Sequence, residues 1–176
     1  MLCAIALLGA STLFAVNLTS GPVQGPPTTF PDGNFENPVM IGSPGYQYRP
    51  SGTQWTYAGG SGVARNSTAF TSGNPNAPQG TQVLFLQGGG SSIQQTIGLV
   101  AGEYQFQFQA AQRGNHQASS QTFELKIDGV SIQSFTPSGT TYESMSSGIV
   151  NLSSGTHTIE LPILAVQYAL HGPGRL

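Results

Sequence analysis

A chain of 176 residues with 7% charged residues and a net charge of −2 is poorly equipped to hold nucleic acid, because its five basic residues, Arg49, Arg65, Arg113, Lys126 and Arg175, are scattered and form no phosphate-tracking stripe. Hydrophobic residues at 38%, gathered in strand-length runs, exclude a disordered chain, and 24 glycines with 12 prolines point to many turns. The single cysteine, Cys3, excludes an intrachain disulfide and a cysteine-built zinc site.

The chain opens on MLCAIALLGASTLFAV, apolar for about the length of a signal-peptide core and too short for a comfortable membrane span. Two readings stay open, a signal remnant and a strand left from an upstream domain. TSGPVQGPPTTFPDG follows as a linker, since proline stiffens it and withholds strand hydrogen bonds. Residues 1–31 are therefore read as lying outside the domain, 32–161 as the domain, and 162–176 as an atypical tail.

From Asp32 onward the hydrophobic period is two, with no helical stretch. YQYRPSGTQWTYAGG supplies Tyr46, Tyr48, Arg49, Trp55 and Tyr57, and the turn-rich TSGNPNAPQGTQ supplies Asn74, Asn76 and Gln79. TQVLFLQ reads as a strand buried on both faces, GGG at 88–90 as a turn, and SSIQQTIGL as the next strand. In GEYQFQFQAAQ, Tyr104, Phe106, Phe108 and Ala110 point one way and Gln105, Gln107 and Gln109 the other. A polar loop with Arg113, Asn115 and His116 leads into TFELKIDG, with Phe123, Leu125 and Ile127 inward and Glu124 and Lys126 outward. Asp128-Gly129 then turns the chain into VSIQSF, since glycine supplies the positive φ of a two-residue hairpin. YESMSSGIVNL and GTHTIEL complete the series, with His157 as a half-buried strand residue alternating with Ile159 and Leu161. Many short strands between Gly/Ser turns predict an all-β sandwich or jelly roll.

Catalytic chemistry is thinly represented. The seven acids, Asp32, Glu36, Glu103, Glu124, Asp128, Glu143 and Glu160, sit at turns or on outward strand positions for the most part, and the three histidines lack metal-ligand spacing. The chain is accordingly read as no enzyme. What remains is a set of aromatic and planar polar groups on loops. Rings stack on the C–H faces of sugars, and Arg, Asn and Gln bond adjacent hydroxyls. The candidate ligand-binding residues are Tyr48, Arg49, Trp55, Asn76, Arg113 and Asn115. For Trp55 a core position between the sheets is an equal alternative, and for Arg113 a clamp that shapes its loop.

The run DGNFENPVM…YQYRPSGTQWTYAGGSGVARNSTAFTSGNPNAPQGTQVLFLQGGGSSIQQTI…AGEYQFQFQAAQRGN…QTFELKIDGV resembles a bacterial family of galactose-binding-like jelly-roll domains, similar to carbohydrate-binding modules and to extracellular cell-wall domains of plants. The resemblance implies a galactose-binding-like jelly-roll β-sandwich that is extracellular or at the cell surface, beside neighbouring domains of a larger protein. It also implies a structural calcium in which Glu36 is a ligand. The family's closing strand is missing from PILAVQYALHGPGRL, so the sandwich is read as incomplete at its C-terminal strand, and either ILAVQYAL or the N-terminal ALLGASTLFAVNL is open as a substitute. The function expected is a non-catalytic carbohydrate-binding module of a secreted or surface protein that takes polysaccharide or glycan, with neither nucleic acid nor a membrane span. The alternative is a structural or adhesive surface module whose partner is another protein or its own copies.

Overall fold

Period-two patterning becomes antiparallel pairing throughout. A computed structural model describes residues 2–6, 30–115 and 121–164. In them the chain forms strands β1 (Leu2–Ala6), β2 (Tyr46–Tyr48), β3 (Thr56–Arg65), β4 (Gln82–Leu99), β5 (Gly102–Tyr104), β6 (Gln107–Gln112), β7 (Phe123–Ile127), β8 (Val130–Phe135), β9 (Glu143–Ser146), β10 (Val150–Leu152) and β11 (Gly155–Pro162). There is no helix among the described residues.

The long strand β4 organises the molecule. Its first half, Leu84–Gln87, pairs with β1, and its second half, Ser92–Leu99, pairs with β11, while β3 runs along its other edge. The ladder order is β8-β7-β11-β4-β1-β6-β9, with β2 and β3 branching from β4; β5 and β10 form a small separate sheet. Between its halves β4 passes through Gly88 and Gly90, both at positive φ (75° and 79°), opposite a register shift in β3 between Ala58 and Gly60. The GGG expected as a turn is thus a bend within one strand. Glycine adopts these angles without steric cost, so the chain changes direction while its ladder with β3 continues.

The bend lets the two parts of the sheet close on each other as a sandwich. Phe108 of β6 lies with its ring 5.3 Å from that of Phe123 (β7) and 4.8 Å from that of Phe135 (β8). Leu84, Leu86, Ile93, Leu125, Ile159 and Leu161 fill the space between, all 4% exposed or less. The result is an all-β, jelly-roll-like sandwich, as the strand pattern predicted. Tyr104, Phe106, Phe108 and Ala110 are buried and Gln105, Gln107 and Gln109 half-buried, in the expected alternation.

Three features depart from the expectations. Trp55, a candidate rim residue, is 4% exposed and lies in the core, with ring centroids 5.7 Å from Phe30 and 5.4 Å from Phe35. Its Nε1 donates to the Asp32 carbonyl at 2.9 Å. Buried among these rings and with its one polar atom satisfied, Trp55 has no face to offer a sugar. Glu124 is buried rather than solvated on its face of β7. Its carboxylate accepts from the Ser131 hydroxyl and lies 3.6 Å from Lys126 Nζ. Finally, Leu2–Ala6, placed outside the domain by the sequence, is strand β1, paired between β4 and β6. Phe30 also joins the core from before Asp32, and Ile163 bridges to Phe123 beyond residue 161. The remainder of ILAVQYAL, from residue 165, lies outside the described residues.

Candidate functional site

The first half of β4 is buried on both faces. Leu84 and Leu86 face the main core, whereas Phe85 faces the other way and forms a second cluster with Ala64 of β3 and Phe70. Phe70 comes from the loop after β3 and stacks on Phe85 at 4.0 Å with ring planes 9° apart. Two tyrosines of β2 complete the platform. Tyr46 meets Phe70 edge-on at 4.8 Å, and Tyr48 meets Phe70 and Phe85 edge-on at 5.7 and 5.1 Å. Tyr48 is held further by its hydroxyl, which donates to Gln87 Oε1, and it remains 40% exposed.

Arg113, just past the end of β6, lies over this platform with its guanidinium carbon 4.8 Å from the centre of the Phe70 ring. The contact is a cation–π interaction. Nε donates to Asn115 Oδ1 at 2.5 Å and Nη2 to the Ala69 carbonyl at 2.6 Å. Asn115 Nδ2 donates to the same carbonyl at 2.9 Å and to Ser72 Oγ at 2.7 Å. Two of the five guanidinium N–H donors are used in these bonds, so Arg113 is at once the clamp expected of it and a donor with further capacity. Burial lowers its pKa, and burial followed by the neighbouring Tyr46 raises that of Tyr48; Arg113 and Tyr48 each offset part of the other's shift. Cation and phenol both meet the Phe70 ring, which brings them to one platform.

The two loops that carry these groups are locked together by backbone contact. A Cβ on Gly114 would lie 1.9 Å from the Gly73 carbonyl oxygen, and one on Gly73 would lie 2.5 Å from the Asn115 nitrogen. Asn74 fastens the same junction, donating to the Gln112 and Thr140 carbonyls at 2.6 and 2.8 Å and accepting from Gly114 N at 3.0 Å.

Of the six candidate ligand-binding residues, the structure brings Tyr48, Arg113 and Asn115 onto this outer face and takes Trp55 into the core. Arg49 and Asn76 are exposed, Arg49 in a positive-φ turn directly after β2 and Asn76 on the loop after Asn74. His116 lies outside the described residues. Sequence reasoning missed Phe70, Phe85 and Gln87. A signal for the first two was present, in a lone aromatic within the polar NSTAFTSGN and a run apolar on both faces.

Glu36 does not fit the calcium ligand expected of it. Oε1 accepts from the backbone N–H groups of Thr81 and Gln82 at 2.7 and 2.8 Å, and Oε2 accepts from Thr81 Oγ1 at 3.1 Å. A calcium shell presents oxygen lone pairs, whereas the groups aimed at this carboxylate are proton donors. The arrangement is that of a clamp tying the first turn to β4. Among the described residues no three of His, Cys, Asp and Glu come together as a metal-binding group.

A second polar cluster is structural. His157 of β11 is buried, and its ring nitrogens both face acceptors: Nδ1 is 2.7 Å from Asp128 Oδ2 and Nε2 is 3.0 Å from the Ser153 carbonyl. Asp128 Oδ1 also accepts from Thr158 N at 2.8 Å, which ties the β7–β8 turn to β11. Both ring nitrogens must carry protons to satisfy these partners, so the fold favours the imidazolium and raises the pKa of His157.

No protein-family model matches the chain, and no curated protein matches it. Among solved structures it is similar to one described as the crystal structure of the CBM36-1 domain of a multidomain xylanase from the hindgut metagenome of Trinervitermes trinervoides, with 26% sequence identity, 53% of this chain and 71% of that chain covered, and a TM-score of 0.42. A superposition that loose transfers neither site nor ligand, and the all-β, jelly-roll-like fold stands on the strand order and core described above.

Proposed function

We propose that this chain is a non-catalytic carbohydrate-binding module of a secreted or cell-surface protein, taking polysaccharide or glycan on the outer face formed by Tyr48, Arg113 and Asn115. The observation that carries the reading is Tyr48: a ring 40% exposed, fixed by edge contacts to Phe70 and Phe85, with the Arg113 guanidinium over the neighbouring Phe70 ring. A rigid ring can take the C–H face of a pyranose with little ordering cost. The spare N–H donors of Arg113 suit vicinal hydroxyls, and Asn115 holds the arginine in place. Arg49 and Asn76 are assigned to the periphery of the site, and Trp55 to none of it. The groups on this face are suited to holding a ligand, and none is a nucleophile or a proton donor tuned near neutral pH. The other partners in this reading are neighbouring domains of a larger extracellular protein.

One observation favours the alternative, a structural or adhesive module. Val39 and Ile41, on the loop before β2, are 66% and 83% exposed, an uncommon outlay of apolar side chains at one place. A screen against a glycan array and soluble polysaccharides, run with calcium and again with a chelator, separates the readings. Saturable binding to one glycan class that survives chelation supports the outer-face site. A folded protein that binds no glycan, but whose self-association falls on Val39→Ser and Ile41→Ser substitution, supports the adhesive module.

A further inference from the structure

Strand β1 differs from the other strands in how it is attached. It pairs on one side from Leu2↔Gln87 to Ile5↔Leu84, and on the other from Cys3↔Gln112 to Ala6↔Gln109. Among the described residues, the ladder order joins β6 and β9 to the rest of the sheet through it. All five of its residues are apolar, and the stretch 7–29 that connects it to Phe30 contains Gly21, Pro22, Gly25, Pro26 and Pro27. Strands hydrogen-bond at a spacing of about 4.8 Å, so without β1 the edges of β4 and β6 would face each other across about twice that distance with their backbone groups unpaired.

We propose that the slot between β4 and β6 is a strand-accepting site and that Leu2–Ala6 of a second copy of this chain fills it with the same pairing when the chain is concentrated. The pairing that holds β1 is antiparallel on both sides and is reproduced in full by an identical strand from another molecule. The chain's own strand is favoured only through its tether. That advantage is one of effective concentration, which a sufficiently concentrated solution offsets. Reciprocal exchange yields a closed dimer that adds no contact absent from the monomer, the usual route to domain swapping. Head-to-tail exchange yields an open chain of modules. This inference is independent of glycan binding and concerns a different part of the sheet from Tyr48.

The test uses the full chain, refolded from denaturant at low micromolar and at millimolar concentration, then diluted and examined by native mass spectrometry. The expected result is monomer from the dilute sample and dimer or higher species from the concentrated one, with mixed dimers when isotopically heavy and light chains are refolded together and none when folded samples are merely mixed. Ala4→Pro removes a strand N–H donor. In the full chain it should lower Tm, abolish the concentrated-refolding dimer, and allow a synthetic peptide of residues 1–8 to bind saturably. If Ala4→Pro does not fold, the refolding experiment on the unaltered chain decides alone. Monomer at every refolding concentration overturns the proposal. So do dimers that persist in folded Ala4→Pro, or a folded Ala4→Pro chain that keeps the parent Tm and ignores the peptide.

Discussion

The two faces of one strand segment, Gln82–Leu86, are buried equally and closed in different ways. Leu84 and Leu86 meet a second layer of sheet, with Trp55 in the same core. Val83 and Phe85 on the opposite side meet loops and the short strand β2, where Ala77, Tyr142, Phe70 and Tyr46 cover them. An antiparallel strand ordinarily keeps one face for solvent, so a run apolar on both faces requires a second cover. Here that cover is made of a few rings and one guanidinium, and its rim at Tyr48 stays open. The inner face is finished by the fold itself; the outer face leaves Tyr48 part-exposed at its rim.

Substitutions should separate the two faces. The largest effect is expected inside: Trp55→Ala empties a site bounded by Phe30 and Phe35, at a cost of about 3–5 kcal/mol, read as a lower denaturation midpoint. Next is the loop junction. Gly114→Ala drives a Cβ into the Gly73 carbonyl, so the Arg113 loop must shift, at a cost of about 1–3 kcal/mol with glycan affinity lost alongside. Glu36→Ala strips the acceptor from the Thr81 and Gln82 N–H groups and should cost about 1–3 kcal/mol by the same assay, while chelator leaves the Tm of the parent protein unchanged.

A smaller, pH-dependent effect comes from Asp128 and His157. The His157 pKa is raised above 6.5, first by its bond to Asp128 and then by that to Ser153, so its contribution is full below 6.5 and is lost as pH climbs through the folded value. The Asp128 pKa is depressed below 3.8, first by the Thr158 N–H and then by His157, so its contribution is present above 3.8 and is lost as pH falls through the folded value. Together they favour the fold most between pH 3.8 and 6.5. His157→Gln should flatten the fall of Tm above that window, measured by thermal scans across pH.

What was legible in the sequence was local. The alternation at Phe123, Leu125 and Ile127 and the Asp128-Gly129 turn both appear in the structure, because period and turn chemistry are written within a few residues. The single run expected over 102–112 divides into β5 and β6, since Ser147 Oγ accepts the Phe106 N–H at 3.0 Å and interrupts it. The inward placement of Trp55 was not legible, because it is decided by Phe30 and Phe35, rings about twenty residues away in the chain. Phe70 gains its role only by stacking on Phe85 from a loop, and no periodicity announces that contact. Arg113 and Asn115 were identifiable as a rare charge and an amide beside it, but their convergence with Tyr48 depends on the sheet bringing β2 and the end of β6 to one face. The place of Leu2–Ala6 depends on pairing with β4 and β6, strands about eighty or more residues away in the chain.

The most direct test of the outer-face reading is affinity electrophoresis of the parent protein and Tyr48→Ala, side by side, through gels containing a panel of soluble polysaccharides. Tyr48 is part-exposed but packs edge-on against Phe70 and Phe85, so its removal should cost about 1–2 kcal/mol of stability. The account predicts one polysaccharide class that retards the parent and fails to retard a Tyr48→Ala protein whose Tm is within a few degrees of the parent's. Equal retardation of both proteins, or retardation of neither, would contradict it.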